Sequence, residues 1–194
     1  ITECSPTIAV TKNEVPRSDL SVGLPVPNVD VKIDKPNQDN IGEILVRGKN
    51  VMKGYYRDTQ QTKEVITPDG YFKTGDLGYF GKDGALFVVG RSKELIIRSG
   101  FNVFPPEVEA MLTKHPSVYQ AAVIGKKTKN NEEILAFILT NGKVVEAELK
   151  QWLRKYLAPY KIPQHIYSVK KFPTAATGKI LKHKLTTFFA DILD

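Results

Sequence analysis

The chain has 194 residues, 41% of them apolar and 25% charged, the make-up of a globular protein with one or two domains. One cysteine, Cys4, excludes an internal disulfide; the three histidines (His115, His165, His183) have no cysteine at metal-ligand spacing; and no apolar run approaches the roughly 18 residues of a membrane helix. The net charge of +7 is lopsided, with 11 basic against 12 acidic side chains in residues 1–90 and 17 against 9 in residues 91–194.

A basic half suggests an anionic ligand. The lysines are spread rather than run together and no nucleic-acid module is recognisable, so phosphate-bearing small molecules are expected ahead of nucleic acid. The N-terminus has no basic-then-apolar signal pattern, and a cytoplasmic location is expected.

In chain order, residues 1–50 alternate short β-rich runs with Pro- and Gly-bearing turns: TIAV (Thr7–Val10), VDVKI (Val29–Ile33) and EILVRG (Glu43–Gly48). This predicts a small β-barrel-like subdomain. Asp58 to Val65 reads as a short helix capped by Asp58 and ended by Pro68-Asp69-Gly70. The next stretch, Tyr71 to Gly100, holds three breakers: a predicted T-G-D-L turn (Thr74–Leu77), the Gly90-Arg91 step and the Ser99-Gly100 loop. Lys82-Asp83-Gly84 is expected to turn a hairpin between Gly78–Phe80 and Ala85–Val89.

Beyond Arg91 longer amphipathic segments begin. Glu94–Arg98 is strand-like, and Pro105-Pro106 opens a helix with Val108, Met111, Leu112 and His115 on one face. Val118–Ile124 and Ile134–Thr140 read as a hairpin around Lys126–Asn131; a second helix is expected over Val145–Ala158 and a final one through Leu181, Leu185, Phe188, Phe189 and Ile192. The fold class expected is therefore α+β: residues 1–90 form the β-rich part, and residues 91–194 form a compact domain of a small sheet with about three helices, joined to it by a hinge.

Several residues can do chemistry. Asp76, in a glycine-flanked turn, can aim a carboxylate at two vicinal hydroxyls as in a ribose, or it can simply bond its own backbone. Lys179, in PTAATGKILK, is presented by a bending Gly178 with no bulk nearby and can neutralise a phosphate and a carboxylate together, although the loop lacks the glycine and Ser/Thr of a P-loop. Gly100 either supplies a positive φ or lets a ligand approach closely.

Taken in order, ITE, GEILVRGKNVMKGYY, YFKTGDLGYF, GRSKELIIRSGFNVFPPEVE and PTAATGKI resemble the adenylate-forming superfamily of acyl-CoA synthetases, luciferases and peptide-synthetase adenylation domains, over essentially the whole chain. The GFNVFPPEVE stretch looks like the fatty or aryl acyl-CoA ligases. The resemblance implies that a carboxylic acid and ATP give an acyl-adenylate, whose acyl group then passes to coenzyme A. It implies Lys179 as the catalytic cation and Asp76, Arg91, Thr2 and Asn102 as ATP/AMP contacts. Glu3 would be the Mg²⁺ ligand, and Gly100, Phe101 and Arg154 would be coenzyme A contacts. Lys93 takes the family's hinge position, about which the C-terminal domain swings to exchange Lys179 for the Gly100 loop.

The family's Gly-rich phosphate loop, its acyl pocket and the Tyr-Gly half of Y-G-x-T-E do not occur in these residues, so a large N-terminal adenylation region is expected before Ile1. The 194 residues alone are expected to be inactive. Two other readings share the same residues: adenylation with a carrier-protein thiol or, as in luciferase, oxygen as acceptor; and residues 91–194 as a non-catalytic basic interaction module.

Overall fold

A computed structural model describes residues 1–11 and 17–193. The chain divides into two compact units, one ending at Lys93 and the other beginning at Glu94.

The first unit opens with a single 3-10 turn (Thr2–Cys4) and a two-residue pair of strands, β1 (Ala9–Val10) and β2 (Leu24–Pro25). Four longer strands follow as an antiparallel meander: β3 (Val29–Asp34), β4 (Gly42–Gly48), β5 (Phe72–Phe80) and β6 (Leu86–Arg91), with helix α1 (Thr59–Val65) between β4 and β5. Alternation decides which face is buried. Ile44 and Val46 of β4, Phe72 of β5 and Leu86 of β6 join Cys4 in one core, with Val31 and Ile33 of β3 packed against it. Among the described residues this is an open sheet and not a closed barrel.

Two local devices follow the sequence closely. Asp58 caps α1 by accepting from the Gln61 amide at 2.9 Å, and the Gly81–Ala85 turn joins β5 to β6, closed by Gly81 N–H to the Ala85 carbonyl at 2.8 Å. Burial raises the Cys4 thiol to about 11, which leaves it an inert packing residue.

The second unit starts with a hairpin of β7 (Ile96–Arg98) and β8 (Phe101–Val103), then α2 (Pro105–Thr113), β9 (Val118–Lys127), β10 (Glu132–Thr140), α3 (Glu146–Leu153) and β11 (His165–Ser168). β10 is central, antiparallel to β9 and parallel to β11. Its run from Ile134 to Leu139 is buried throughout because both faces are covered. Ile134, Ala136 and Ile138 face α2 and α3 through Val108, Leu112, Leu149 and Leu153. Leu135, Phe137 and Leu139 face the C-terminal segment through Phe172, Leu185 and Phe189.

Two expectations change, and one strand was not expected. The second helix ends at Leu153, four residues after Leu149, because the chain from Arg154 tightens into 3-10-type bonds (Lys155 N–H to Trp152, Tyr156 N–H to Leu153) before Pro159. The final helix is broken into a 3-10 turn (Lys182–Lys184), α4 (Leu185–Phe188) and α5 (Ala190–Leu193), each too short to be stable without the sheet beneath it. β11 carries no strong local signal and forms only because Gln164 exchanges bonds with Ile134 and starts a parallel ladder.

Candidate functional site

The T-G-D-L segment is not a turn. It lies inside β5, where pairing shifts from Glu43↔Leu77 to Leu45↔Lys73, so β5 carries extra residues against β4 and bulges. Gly75 allows this with φ +71°. Across the bulge the Thr74 hydroxyl donates to the Ile44 carbonyl at 2.8 Å and accepts from the Asp76 amide at 3.0 Å, while the Gly75 amide donates to Glu43 Oε1 at 3.1 Å. The bulge, held by a buried threonine, therefore aims Asp76.

Asp76 lies opposite Arg91 on β6, and Arg91 Nε meets Asp76 Oδ1 at 2.8 Å while its Nη1 donates to the Thr74 carbonyl at 3.3 Å. Thr74 and Asp76 help line a cleft of about 370 Å³ walled by Ile1, Ile8, Leu86 and Val88. Thr2 and Glu3 follow Ile1 in the opening 3-10 turn. Thr2 is exposed; Glu3 is half-buried and accepts from the Tyr55 hydroxyl at 3.1 Å. Burial and then this carboxylate push the Tyr55 phenol upward. The arrangement in this unit is thus an acidic group with a guanidinium beside it, next to an apolar wall, which suits a hydroxylated sugar carrying a flat apolar ring.

In the second unit Lys179 stands on a tight hairpin. Thr174 pairs with Ile180, Ala175 N–H donates to the Lys179 carbonyl at 2.9 Å, and Gly178 takes φ +82°. The Lys179 side chain is exposed, and its ammonium has no ion-pair or hydrogen-bond partner among the described residues. Lys93 is exposed at the end of the first unit, in a 3-10 turn (Ser92–Glu94).

The Ser99-Gly100 loop is a two-residue hairpin turn with φ +51° and +82°, the primed type that matches strand twist. A side chain at Gly100 would meet nothing within 4 Å, so the glycine serves the backbone angle and leaves the approach open. Asn131, in the β9–β10 loop, accepts from Ser99 N–H at 2.7 Å and holds the turn. Phe101 is exposed and stacks on Tyr160 at 4.6 Å; Asn102, paired with Ile97, is exposed beside it. Arg154 lines a second cleft, of about 260 Å³, with Arg98 and Lys150. Those two are already engaged: Arg98 donates to the carbonyls of Tyr160 and Ile162, and Lys150 meets Glu146 at 2.8 Å. Burial also lowers Arg98's proton affinity.

The two candidate loops stand on opposite sides of one sheet. The β7–β8 hairpin roots Ile96 and Val103 in the core under Ile134, Ala136 and Ile138. The Lys179 hairpin roots Phe172 and Ile180 in the core on the other face, under Leu135, Phe137 and Leu139. Among the described residues, no group of three or more His, Cys, Asp or Glu side chains could hold a metal.

The family model of AMP-binding enzymes matches residues 1–56, and that of the AMP-binding enzyme C-terminal domain matches residues 107–179. The chain belongs to the adenylate-forming superfamily. This chain is 41% identical to a probable 4-coumarate–CoA ligase 2 of Dictyostelium discoideum over 95% of its length and 35% of that protein's. ATP-bound MatB of Rhodopseudomonas palustris superposes with a TM-score of 0.89 at 32% identity, over 100% of this chain and 40% of that one. An o-succinylbenzoate CoA synthetase of Bacillus subtilis, solved with its acyl-adenylate intermediate, gives 0.88 at 33% identity over 95% and 39%. The chain thus spans roughly a third of the length of the curated relatives it matches.

Sequence reasoning missed Thr74, which positions Asp76, and Asn131, which holds the glycine turn. A Thr two residues before Asp at a bulge could have signalled the first. Nothing local signals Asn131, which reaches Ser99 from 32 residues away.

Proposed function

We propose that this chain serves an ATP-dependent acid–thiol ligase that activates a fatty or aryl carboxylic acid as its acyl-adenylate and transfers the acyl group to coenzyme A. The observation that carries this reading is the placement of an unpartnered lysine and an open glycine turn on opposite faces of one sheet. One loop faces away when the other is presented, as two successive half-reactions in one cleft require. Several relatives are named CoA ligases, which supports the reaction class.

In the adenylation step a carboxylate approaches a polyanion, so a cation must screen the repulsion and stabilise charge growing on the α-phosphate. Lys179 is that cation; with no partner to release, it reorganises little on meeting the nucleotide. Asp76 accepts from the ribose hydroxyls while Arg91 keeps its carboxylate oriented, and Thr2 and Asn102 contact the nucleotide. Glu3 would hold Mg²⁺: it presents a carboxylate already fixed at one oxygen by Tyr55, and a hard ion that keeps much of its water needs few protein oxygens. When bound, that ion neutralises phosphate charge.

For the second step, rotation about Lys93 would bring the β7–β8 turn forward. Gly100 then lets the thiol arm pass close to the backbone, Phe101 flanks it, and Arg154 takes a coenzyme A phosphate. Residues 1–93 are the subdomain that stays with the larger adenylation region, and the second unit is the moving lobe.

The test is Lys179→Ala in the full-length ligase. Pyrophosphate exchange should fall by at least about 100-fold, the usual cost of one removed charge-stabilising donor, while thioester formation from supplied acyl-adenylate persists. Equal loss in both half-reactions would overturn the reading. Supplying a carrier-protein thiol in place of coenzyme A identifies the acceptor.

A further inference from the structure

Lys182, three residues beyond Lys179, is only 20% exposed, and its ammonium lies between two carboxylates, 2.8 Å from Glu94 Oε2 and 2.7 Å from Glu109 Oε1. Glu109 is itself fixed, because the same oxygen accepts from the Val123 amide at 2.7 Å. These groups come from four separate segments. Glu94 is the first residue of the second unit, Glu109 is on α2, Val123 is on β9, and Lys182 opens the 3-10 turn at the foot of the Lys179 hairpin.

β9 is the outer strand of its three-stranded sheet, so its outward amide needs a partner, and Glu109 provides one. Lys182 therefore reaches around the free edge of the sheet and ties the layer beneath the Lys179 hairpin to the layer that carries α2 and the β7–β8 turn. Its neighbours His183 and Lys184 are exposed. A lysine drawn out of solvent onto two carboxylates is a poor choice for stability alone, since an apolar side chain of similar volume commonly does as well, but it fixes position sharply.

We propose that Lys182 is a positioning residue for adenylation: its double ion pair locks the stem of the Lys179 hairpin to the segment that follows Lys93, so that the lysine moves with the lobe as one rigid arm. The hairpin depends on this clamp more than the glycine turn does. Its stem runs into a 3-10 turn and a four-residue helix. The glycine turn has its own ladder, the Asn131 bonds and the Arg98 anchor. Leu181 N–H donates to the Pro173 carbonyl at 2.8 Å and closes the stem, so a shift of Lys182 passes to Lys179 over three residues, about 10 Å of extended chain.

The inference rests on the role assigned to Lys179. The experiment compares Lys182→Met, Lys182→Arg and Glu94→Gln in a full-length ligase carrying this chain, measuring both half-reactions and the Trp152 fluorescence melt. Lys182→Met should lower kcat for pyrophosphate exchange on the order of 10- to 100-fold, the effect of misplacing a reacting group by about 1 Å. KM for ATP should stay within a few-fold, and thioester formation from supplied acyl-adenylate should be kept. Glu94→Gln should shift exchange the same way but less, and Lys182→Arg should restore most of it. Unchanged exchange in Lys182→Met, or loss of both half-reactions in step with a lowered Trp152 melt, overturns the positioning role. Unimpaired exchange in Lys179→Ala would instead remove the reading beneath it.

Discussion

Replacing Thr74 by valine keeps the shape of a side chain that is 5% exposed and deletes only its hydroxyl. That hydroxyl is both donor to the Ile44 carbonyl and acceptor from the Asp76 amide, so two groups lose a partner at once. Each hydrogen bond is worth about 1 kcal/mol net, and a buried group left unpaired costs about 1–3 kcal/mol. Thr74→Val should therefore destabilise the first unit by about 2–4 kcal/mol, or about 30-fold in its unfolding equilibrium at the lower figure. Amide hydrogen exchange at Thr74–Asp76 and in β4 reads this directly. Trp152, the chain's one tryptophan, lies in the second unit, and its fluorescence transition in guanidinium should not move. Thr74→Ser should recover most of the loss. A Thr74→Val protein whose exchange at these amides changes less than about twofold, below the smallest single-bond effect of about 0.5 kcal/mol, would refute the claim that this hydroxyl holds the bulge.

Two further outcomes are expected. Tyr71 donates to Asp30, whose carboxyl is held low first by that bond and then by Arg47. Its stabilising share is therefore complete above the ordinary aspartate value of about 3.9 and disappears as pH falls through the depressed value. Tyr71→Phe should lower first-unit stability at pH 7 and converge with the parent at the acid end of a pH series of denaturant midpoints; a constant difference down to pH 2 would contradict this. The 194 residues alone should make no acyl-CoA from acid, ATP and coenzyme A, because the phosphate loop and acyl pocket of the family are expected outside these residues; any turnover abolished by Lys179→Ala would disprove it.

Where a feature depends on neighbours in the chain, it was legible in advance. The Asp58 cap, the proline-opened α2, the hairpin around Lys126–Asn131 and the β-rich runs of β3 and β4 rest on short-range composition, on helical periodicity and on caps within one turn. The ordered motifs carrying Asp76, Gly100 and Lys179 were legible for the same reason, since each is a short run of residues. T-G-D-L misled because a glycine at positive φ marks a turn and a bulge alike, and only the register against β4 separates them.

By itself, then, the order of residues determined most strands, the start of α1 and of α2, the motifs that carry the candidate chemistry and the family. Tertiary structure alone decided that Thr74 rather than a turn aims Asp76, that the lysine and glycine loops occupy opposite faces of β10, and that Lys182 joins them around the edge of β9. These are relations between residues dozens of positions apart. The first exists only once β5 has paired with β4, and the other two only after burial of β10 on both faces has closed the intervening loops; no local preference encodes either step.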